Sequence, residues 1–221
     1  MPSSRTLDWT PNFDPQSVPY RLALLDCYRI GGHKRSIQRT KKVWLDQGVE
    51  GACTGFGAAH VEALSPRSRL DIDNSHARKV YLEARRQDEW PGEDYDGSSV
   101  NGAMKALRLF GRIKSYRWAF SMDEVRHGLS YHGAAEIGVW WMTGMFHPDM
   151  NGFIHPTGVK EGGHALALSG YRLFSGHRAY RLDNSWGEDW GQKGGAWIWE
   201  DDLEMLRTDD GEIAFPVKAG V

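Results

Sequence analysis

Cys53 is the residue of this chain whose neighbours best suit a nucleophile. It stands in Asp46-Gln47-Gly48-Val49-Glu50-Gly51-Ala52-Cys53-Thr54-Gly55-Phe56, with small residues ahead of it and an apolar, helix-length run behind. At the start of a helix, unpaired backbone N–H groups and the helix dipole favour a thiolate. A thiolate nucleophile also needs a proton acceptor, and something must orient that acceptor. Of nine histidines, His164 is set apart by its context, Gly162-Gly163-His164-Ala165-Leu166-Ala167-Leu168, at the mouth of an expected buried strand. Asn184, in Asp183-Asn184-Ser185-Trp186-Gly187, closes the next expected strand. Its side-chain oxygen can accept from one imidazole nitrogen and so fix the tautomer, while Trp186 covers that hydrogen bond. Gln47 offers a side-chain NH₂ that, with the backbone N–H of Cys53, can stabilise an oxyanion. Four residues in these separate roles meet the requirements of acyl transfer.

The elements that must position them read as helical first and extended later. Residues 1–19 are rich in Pro, Ser, Asn and Asp and form an expected extended arm; residues 20–28 suit a short helix or strand. A helix is expected over 52–64, where Phe56, Ala59, Ala63 and Leu64 fall near helical spacing and Ser65-Pro66 provides a stop. Gly55 and Gly57 each cost this helix about 1 kcal/mol relative to Ala, so it should be buried by close packing. Asn74-Ser75 can cap a second helix over 76–90, ended by Pro91-Gly92, and a third spans 99–110 with Val100, Ala103, Met104 and Leu107 on one face. Ser121-Met122-Asp123-Glu124 is a capping box opening a helix to about 131. Strands are expected at 112–118, 135–142, 165–172, 179–183 and 196–199, with one or two helical turns at 201–206. Helices before strands indicate an α+β protein of two lobes. The whole chain, 1–221, is expected to form one catalytic domain: an arm to 42, a helical lobe over about 43–115 and a β-rich lobe over about 116–221.

The totals exclude several other classes. With 221 residues, 25% charged, 40% hydrophobic and a formal net charge of −2, the profile is globular and carries no signature of a nucleic-acid partner. No apolar run approaches the roughly 18 residues of a membrane span. The N-terminal stretch lacks the apolar core of a signal peptide, so a cytoplasmic monomer is the expectation, with release by lysis or an unusual export route left open. Two cysteines, Cys27 and Cys53, are too few for a disulfide scaffold, and Cys27 reads as a buried free thiol.

The segments Gln47…Gly51-Ala52-Cys53, Gly163-His164-Ala165 and Asn184-Ser185-Trp186-Gly187…Trp190-Gly191…Gly194-Gly195 resemble the three signature segments of the papain-like cysteine peptidases. The separation of Cys53 and Asn184 lies inside the roughly 130–150 residues typical of that family; that of Cys53 and His164 is somewhat shorter. The resemblance implies a helical lobe and a β-barrel-like lobe with the active cleft between them. It also implies a Cys53 thiolate–His164 imidazolium pair, Gln47 as oxyanion donor, Asn184 as orienter and Trp186 as its shield. Glu50 and Thr54 stand where the family usually has cysteine and tryptophan. The loss of that cysteine removes a disulfide usual in secreted members, and the chain is similar to the compact bacterial and bacteriophage-encoded branch, in which case a host cytoplasm is the working compartment. By the same resemblance Gly97 and Ser98, in Asp96-Gly97-Ser98-Ser99-Val100, would pair with the backbone of an extended substrate beside Gly163.

The expected activity is therefore a thiol endopeptidase acting on peptides or proteins, with no cofactor and no metal. The same site with an amine acceptor would be a transpeptidase, and with another substrate a cell-wall amide hydrolase; a vestigial site would leave a binding module. His147, Asp149 and His155 match no strong metal-ligand spacing and read as a surface loop. The basic residues from His33 to Lys42 read as a solvated loop, and His60 as a core or surface histidine. Of Trp140 and Trp141, strand alternation turns one to the core and the other to the opposite side.

Overall fold

Two glycines decide where the first long helix lies. The computed structural model describes residues 5–13, 15–22, 33–39, 43–64, 71–88 and 96–217. Helix α1, Cys53–Ala63, is buried along its whole length. A methyl group at Gly55 would sit 2.4 Å from the backbone nitrogen of Tyr81 and 2.5 Å from the carbonyl oxygen of Ala77, both on α2, Asn74–Gln87. One at Gly57 would come within 3.2 Å of Leu166 on the opposite side. The helix is thus wedged between α2 and the sheet, and the cost of each glycine is offset by an approach that no side chain would permit.

The N-cap of α2 is Asp73, which accepts from His76 N–H at 2.7 Å, one residue ahead of the expected Asn74-Ser75. Asn74 turns its Oδ1 to the backbone N–H of Asp46 instead, tying down the loop that leads to Cys53. Ser65-Pro66, Pro91-Gly92 and Cys27 lie outside the described residues. Asp88, which follows α2, takes hydrogen bonds from the Ser98 hydroxyl and from Ser99, whose own hydroxyl caps α3, Val100–Leu109, through Gly102 N–H.

The second half builds one antiparallel sheet in the order β1-β6-β2-β3-β4-β5. Its strands are β1 Ser115–Trp118, β2 Ala135–Met142, β3 Lys160–Phe174, β4 His177–Asp183, β5 Gly195–Trp199 and β6 Glu212–Val217. Helix α4, Met122–Tyr131, precedes β2, and α5, Glu200–Thr208, follows β5. Ser121 caps α4 through Glu124 N–H, but the Glu124 carboxylate reaches back to Phe120 N–H and Arg21, so the reciprocal half of the expected capping box is absent.

Two further expectations change. Strand β3 begins at Lys160, so His164 sits within the strand opposite Val139 rather than at its mouth. Strand β6 has no counterpart in the sequence reading, because Pro216 lies in its run and a proline argues against a central strand. The ladder explains the exception: β6 pairs with β2 only over Glu212–Ala214 and continues against β1 alone, so Pro216 stands where one side needs no donor.

The apolar core is divided between the sheet side, around Ile137, Leu166, Tyr171 and Ile198, and the helical side. A cluster containing Trp9, Cys53, Val100, Met104 and Ala165 bridges the two. Trp9 belongs to the N-terminal segment, which crosses the junction in extended form before a 3₁₀ turn at Pro15–Tyr20.

Candidate active site

The turn before α1 aims the residues around Cys53. The Asp46 carboxylate accepts Gly48 N–H at 2.9 Å, Gly48 takes a left-handed φ of 63°, and Ala52 N–H bonds the Glu50 carbonyl at 2.8 Å. Ala52 provides no side-chain cap and the first turn holds no acidic residue. The positive end of α1 therefore faces the Cys53 side chain without a competing carboxylate from the helix itself. Backbone N–H groups of Ala165 and Asp8 also favour a thiolate at the sulfur.

His164 points its Nε2 at Asn184 Oδ1, 2.8 Å away. That oxygen also accepts Ser185 N–H at 2.8 Å, which identifies it as the acceptor and the imidazole as the Nε2–H tautomer. Nδ1 has no hydrogen-bond partner among the described residues and is the nitrogen left to take a proton. The Trp186 ring lies 4.8 Å from the imidazole at 34°, and Trp141 packs edge-on at 4.9 Å, so water is kept from the His164–Asn184 bond on two sides. Gln47 is fixed at both ends of its amide: Oε1 accepts from the Ser185 hydroxyl at 2.8 Å, and Nε2 donates to the carbonyls of Glu50 at 2.9 Å and Thr6 at 3.4 Å.

The Thr6 contact belongs to the N-terminal arm, for which the sequence leaves open a place in the cleft or along the second lobe. Residues 5–10 lie across these groups as an extended segment. Trp9 N–H donates to Gly163 O at 2.9 Å, Ser98 N–H to Asp8 O at 3.1 Å, and Thr10 N–H to Ser98 O at 3.0 Å, giving a parallel bridge between Trp9 and Ser98. A methyl at Gly163 would stand 1.9 Å from the Trp9 carbonyl, and one at Gly51 1.9 Å from the Asp8 carboxylate. Arg5 sits over the Trp186 ring and donates to its carbonyl. The Trp9 indole inserts against Gly138, contacts Trp140 edge-on at 5.6 Å and donates Nε1–H to Glu212 at 3.2 Å. The one signal in the sequence was an aromatic residue, Trp9, amid a polar, proline-rich stretch. Glu136 and Glu212, buried carboxylates beside the site, gave none.

Covering has an electrostatic consequence. Cys53 and His164 are both fully buried. Loss of solvation pushes the thiol up to about 12, against the pull of the two backbone N–H groups. It pushes the imidazole down to about 4, against the favourable bond to Asn184. The thiolate–imidazolium pair expected from the sequence is therefore a neutral thiol and neutral imidazole beneath this segment.

The remaining expectations are placed as follows. His60 is a core residue whose Nε2 accepts Leu45 N–H at 3.2 Å. Trp141 is in the core, and Trp140 faces Trp9. His155 and Asp149 form an ion pair at 3.1 Å on the surface, and the described residues hold no cluster suited to a metal. Among the described residues no helix is long and apolar enough to cross a membrane.

The sequence profile of the papain family of cysteine proteases matches residues 82–208, which include Ser98, His164 and Asn184. The chain is similar to cathepsin B-like cysteine proteinase 6 of Caenorhabditis elegans, at 24% identity over 54% of this chain and 32% of that protein. It is also similar to cathepsin B-like cysteine proteinase 3 of Ostertagia ostertagi, at 27% identity over 42% of this chain and 52% of that protein. It thus aligns with between a third and about half of the length of these relatives. The fold superposes on xylellain, a cysteine protease from Xylella fastidiosa, with a TM-score of 0.72 at 16% identity, covering 99% of this chain and 98% of that one. It superposes on procathepsin B S9 from Trypanosoma congolense with a TM-score of 0.75 at 14% identity, over 97% and 87%. With more than half of its residues matched by the profile, this α+β chain belongs to the papain family of cysteine proteases.

Proposed function

We propose that the chain is a cysteine endopeptidase that cuts peptide or protein substrates once residues 5–10 have left the cleft. The observation that carries this reading is the His164 ring, held by Asn184 under Trp186 with Nδ1 unpartnered, on the strand whose next residue, Ala165, packs with Cys53. In the proposed reaction Nδ1 takes the thiol proton and the sulfur attacks the scissile carbonyl carbon. The resulting oxyanion is met by Gln47 Nε2 and the backbone N–H of Cys53. His164 then returns the proton to the leaving amine as the C–N bond breaks, leaving a thioester on Cys53. Water, deprotonated by His164, attacks that thioester, releases the acid and restores the thiol. The main-chain groups of Ser98 and Gly163, now used by the N-terminal segment, would hold the substrate backbone, with Gly97 giving it room. One catalytic unit over 1–221, with residues 1–42 as an arm, fits this reading.

The test is covalent labelling by an epoxysuccinyl probe or iodoacetamide, followed by peptide mapping. Label is expected on Cys53 and none in Cys53→Ala. Equal labelling of wild type and Cys53→Ala would sink the assignment. Product masses in the presence of added amines test the acceptor: hydrolysis alone is expected, and aminolysis products as the main species would make the protein a transpeptidase.

A further inference from the structure

Strand alternation gives β3, β4 and β5 a second face, opposite the sheet core and on the side where α1 packs through Ala165 and Ala167. Tyr171, Tyr180, Leu182 and Ile198 enter the core, while Arg172, Arg181 and Trp197 stand on the outer side. There they line a cavity of about 500 Å³ with Arg39, Lys193 and Trp44. Among the described residues of this lining Asp183 is the only carboxylate, against four cations.

The way these cations are held matters more than their number. Arg39 spends its N–H groups on the carbonyls of Ser169, at 2.9 Å, and Leu129, at 2.6 Å. Carbonyls satisfy hydrogen bonds but do not neutralise a charge. Arg181 donates to the Gln192 carbonyl and stays 3.7 Å from Asp183, in an ion pair beyond direct hydrogen-bond contact. The Arg172 guanidinium carbon lies 3.9 Å from the Phe174 ring centre and 4.8 Å from that of Trp197. Ring contacts of this kind hold the cation without neutralising it. Burial lowers the pKa of both Arg39 and Arg181; at Arg181 the Asp183 carboxylate opposes this and the nearby charge of Arg172 adds to it. The cluster is short of negative charge.

The cavity is also far larger than one oxyanion needs. Trp44 stands at its wall, 39% exposed, with its ring fixed by Nε1–H donated to the Lys193 carbonyl at 3.1 Å. We propose that this cavity binds a phosphate- or sulfate-bearing ligand, its anionic group on Arg172, Arg181 and Lys193 and its attached ring against Trp44. The site does not depend on the peptidase chemistry.

Equilibrium dialysis of the full chain with labelled inorganic phosphate, at ionic strength held constant with chloride, tests the anion. Saturable binding of one phosphate per chain is expected, displaced by sulfate. Lys193→Gln should weaken it about tenfold, the size of one charge-assisted hydrogen bond, and Lys193→Glu should abolish it. Lys193 is an exposed turn residue, so both variants should keep the wild-type fold; Arg172→Gln, which also loses ring packing, is the second variant. Binding that does not saturate, or that Lys193→Glu leaves unchanged, overturns the proposal. Glucose 6-phosphate and glucose test the ring. The phosphorylated sugar should bind more tightly than phosphate, fall to the phosphate level in Trp44→Ala, and not be displaced by glucose. Equal affinities for phosphate and glucose 6-phosphate in the wild type would overturn the ring contact.

Discussion

Replacing Trp9 by alanine should uncover Cys53 without unfolding the protein. The Trp9 side chain is 1% exposed, and truncating a buried tryptophan costs about 3–5 kcal/mol. The substitution also removes an Nε1–H bond to a buried carboxylate. Because Trp9 sits in a segment that crosses the surface of the helices and sheet rather than in either core alone, most of this cost should fall on local opening of that segment. Taking the lower figure, about 3 kcal/mol, the open population rises on the order of a hundredfold. The assay is the pseudo-first-order rate of iodoacetamide reaction at Cys53, followed by intact mass with Cys53→Ala as the blank, over a range of low urea concentrations. A local opening gives a rate that depends only weakly on urea, since little surface is exposed. Trp9→Ala should react about a hundredfold faster than wild type and keep that weak dependence. An unchanged rate would refute the reasoning. So would acceleration with the steep urea dependence of global unfolding, because Trp9 would then be stabilising the whole fold.

Four other perturbations follow from the structure. In the Trp9→Ala background, Asn184→Ala should lower kcat/KM for a peptide substrate by about 10- to 100-fold, the value of one hydrogen bond to a charged imidazole, and shift the acid limb of its pH profile. Gln47→Ala in the same background should cost kcat about 10²- to 10³-fold if its NH₂ meets the oxyanion, with KM moving much less. Glu212 carries a pKa raised by burial from 4.5 to about 7, so the native state holds its proton more tightly than the unfolded chain does. That contribution to stability is complete below pH 4.5 and is lost as pH climbs through 7. Between those limits it amounts to about 3 kcal/mol. Denaturant titrations of wild type and Glu212→Gln should therefore converge toward low pH and separate in favour of the variant at pH 8; parallel stability curves would contradict it. Gly55→Ala drives a methyl into the backbone of α2 and should lower Tm by several degrees or abolish folding, as thermal scans would report.

The chemistry was more legible in the sequence than the state in which it is held. Residue type and local context single out Cys53, His164, Asn184 and Gln47 as candidates, because each carries a functional group that acyl transfer requires. The buried helix α1 was readable because Gly55 and Gly57 make sense only under close packing. His164 was misplaced to a strand mouth since Lys160 and Glu161 look like loop residues, although they extend β3 as its exposed beginning. Strand β6 was hidden by Pro216. The neutral state of the Cys53–His164 pair was hidden for a different reason: it follows from residues 5–10, remote in sequence, which no local pattern connects to Cys53. The same holds for Glu136 and Glu212, whose burial comes from tertiary packing alone.

The bridge between Trp9 and Ser98 sets a scale for what a substrate must achieve. The N-terminal segment uses the carbonyl of Gly163 and both main-chain groups of Ser98. An incoming peptide that needs those three groups is excluded for as long as the segment is seated. The segment is covalently joined to the domain, so it competes at an effective local concentration on the order of millimolar, whatever the amount of protein in solution. Dilution leaves this competition unchanged, whereas a single cut or a lengthened connection after residue 13 would weaken it. On the proposed reading, tether length and the fit of one indole set how often the cleft is open, independently of how reactive the cysteine is once uncovered.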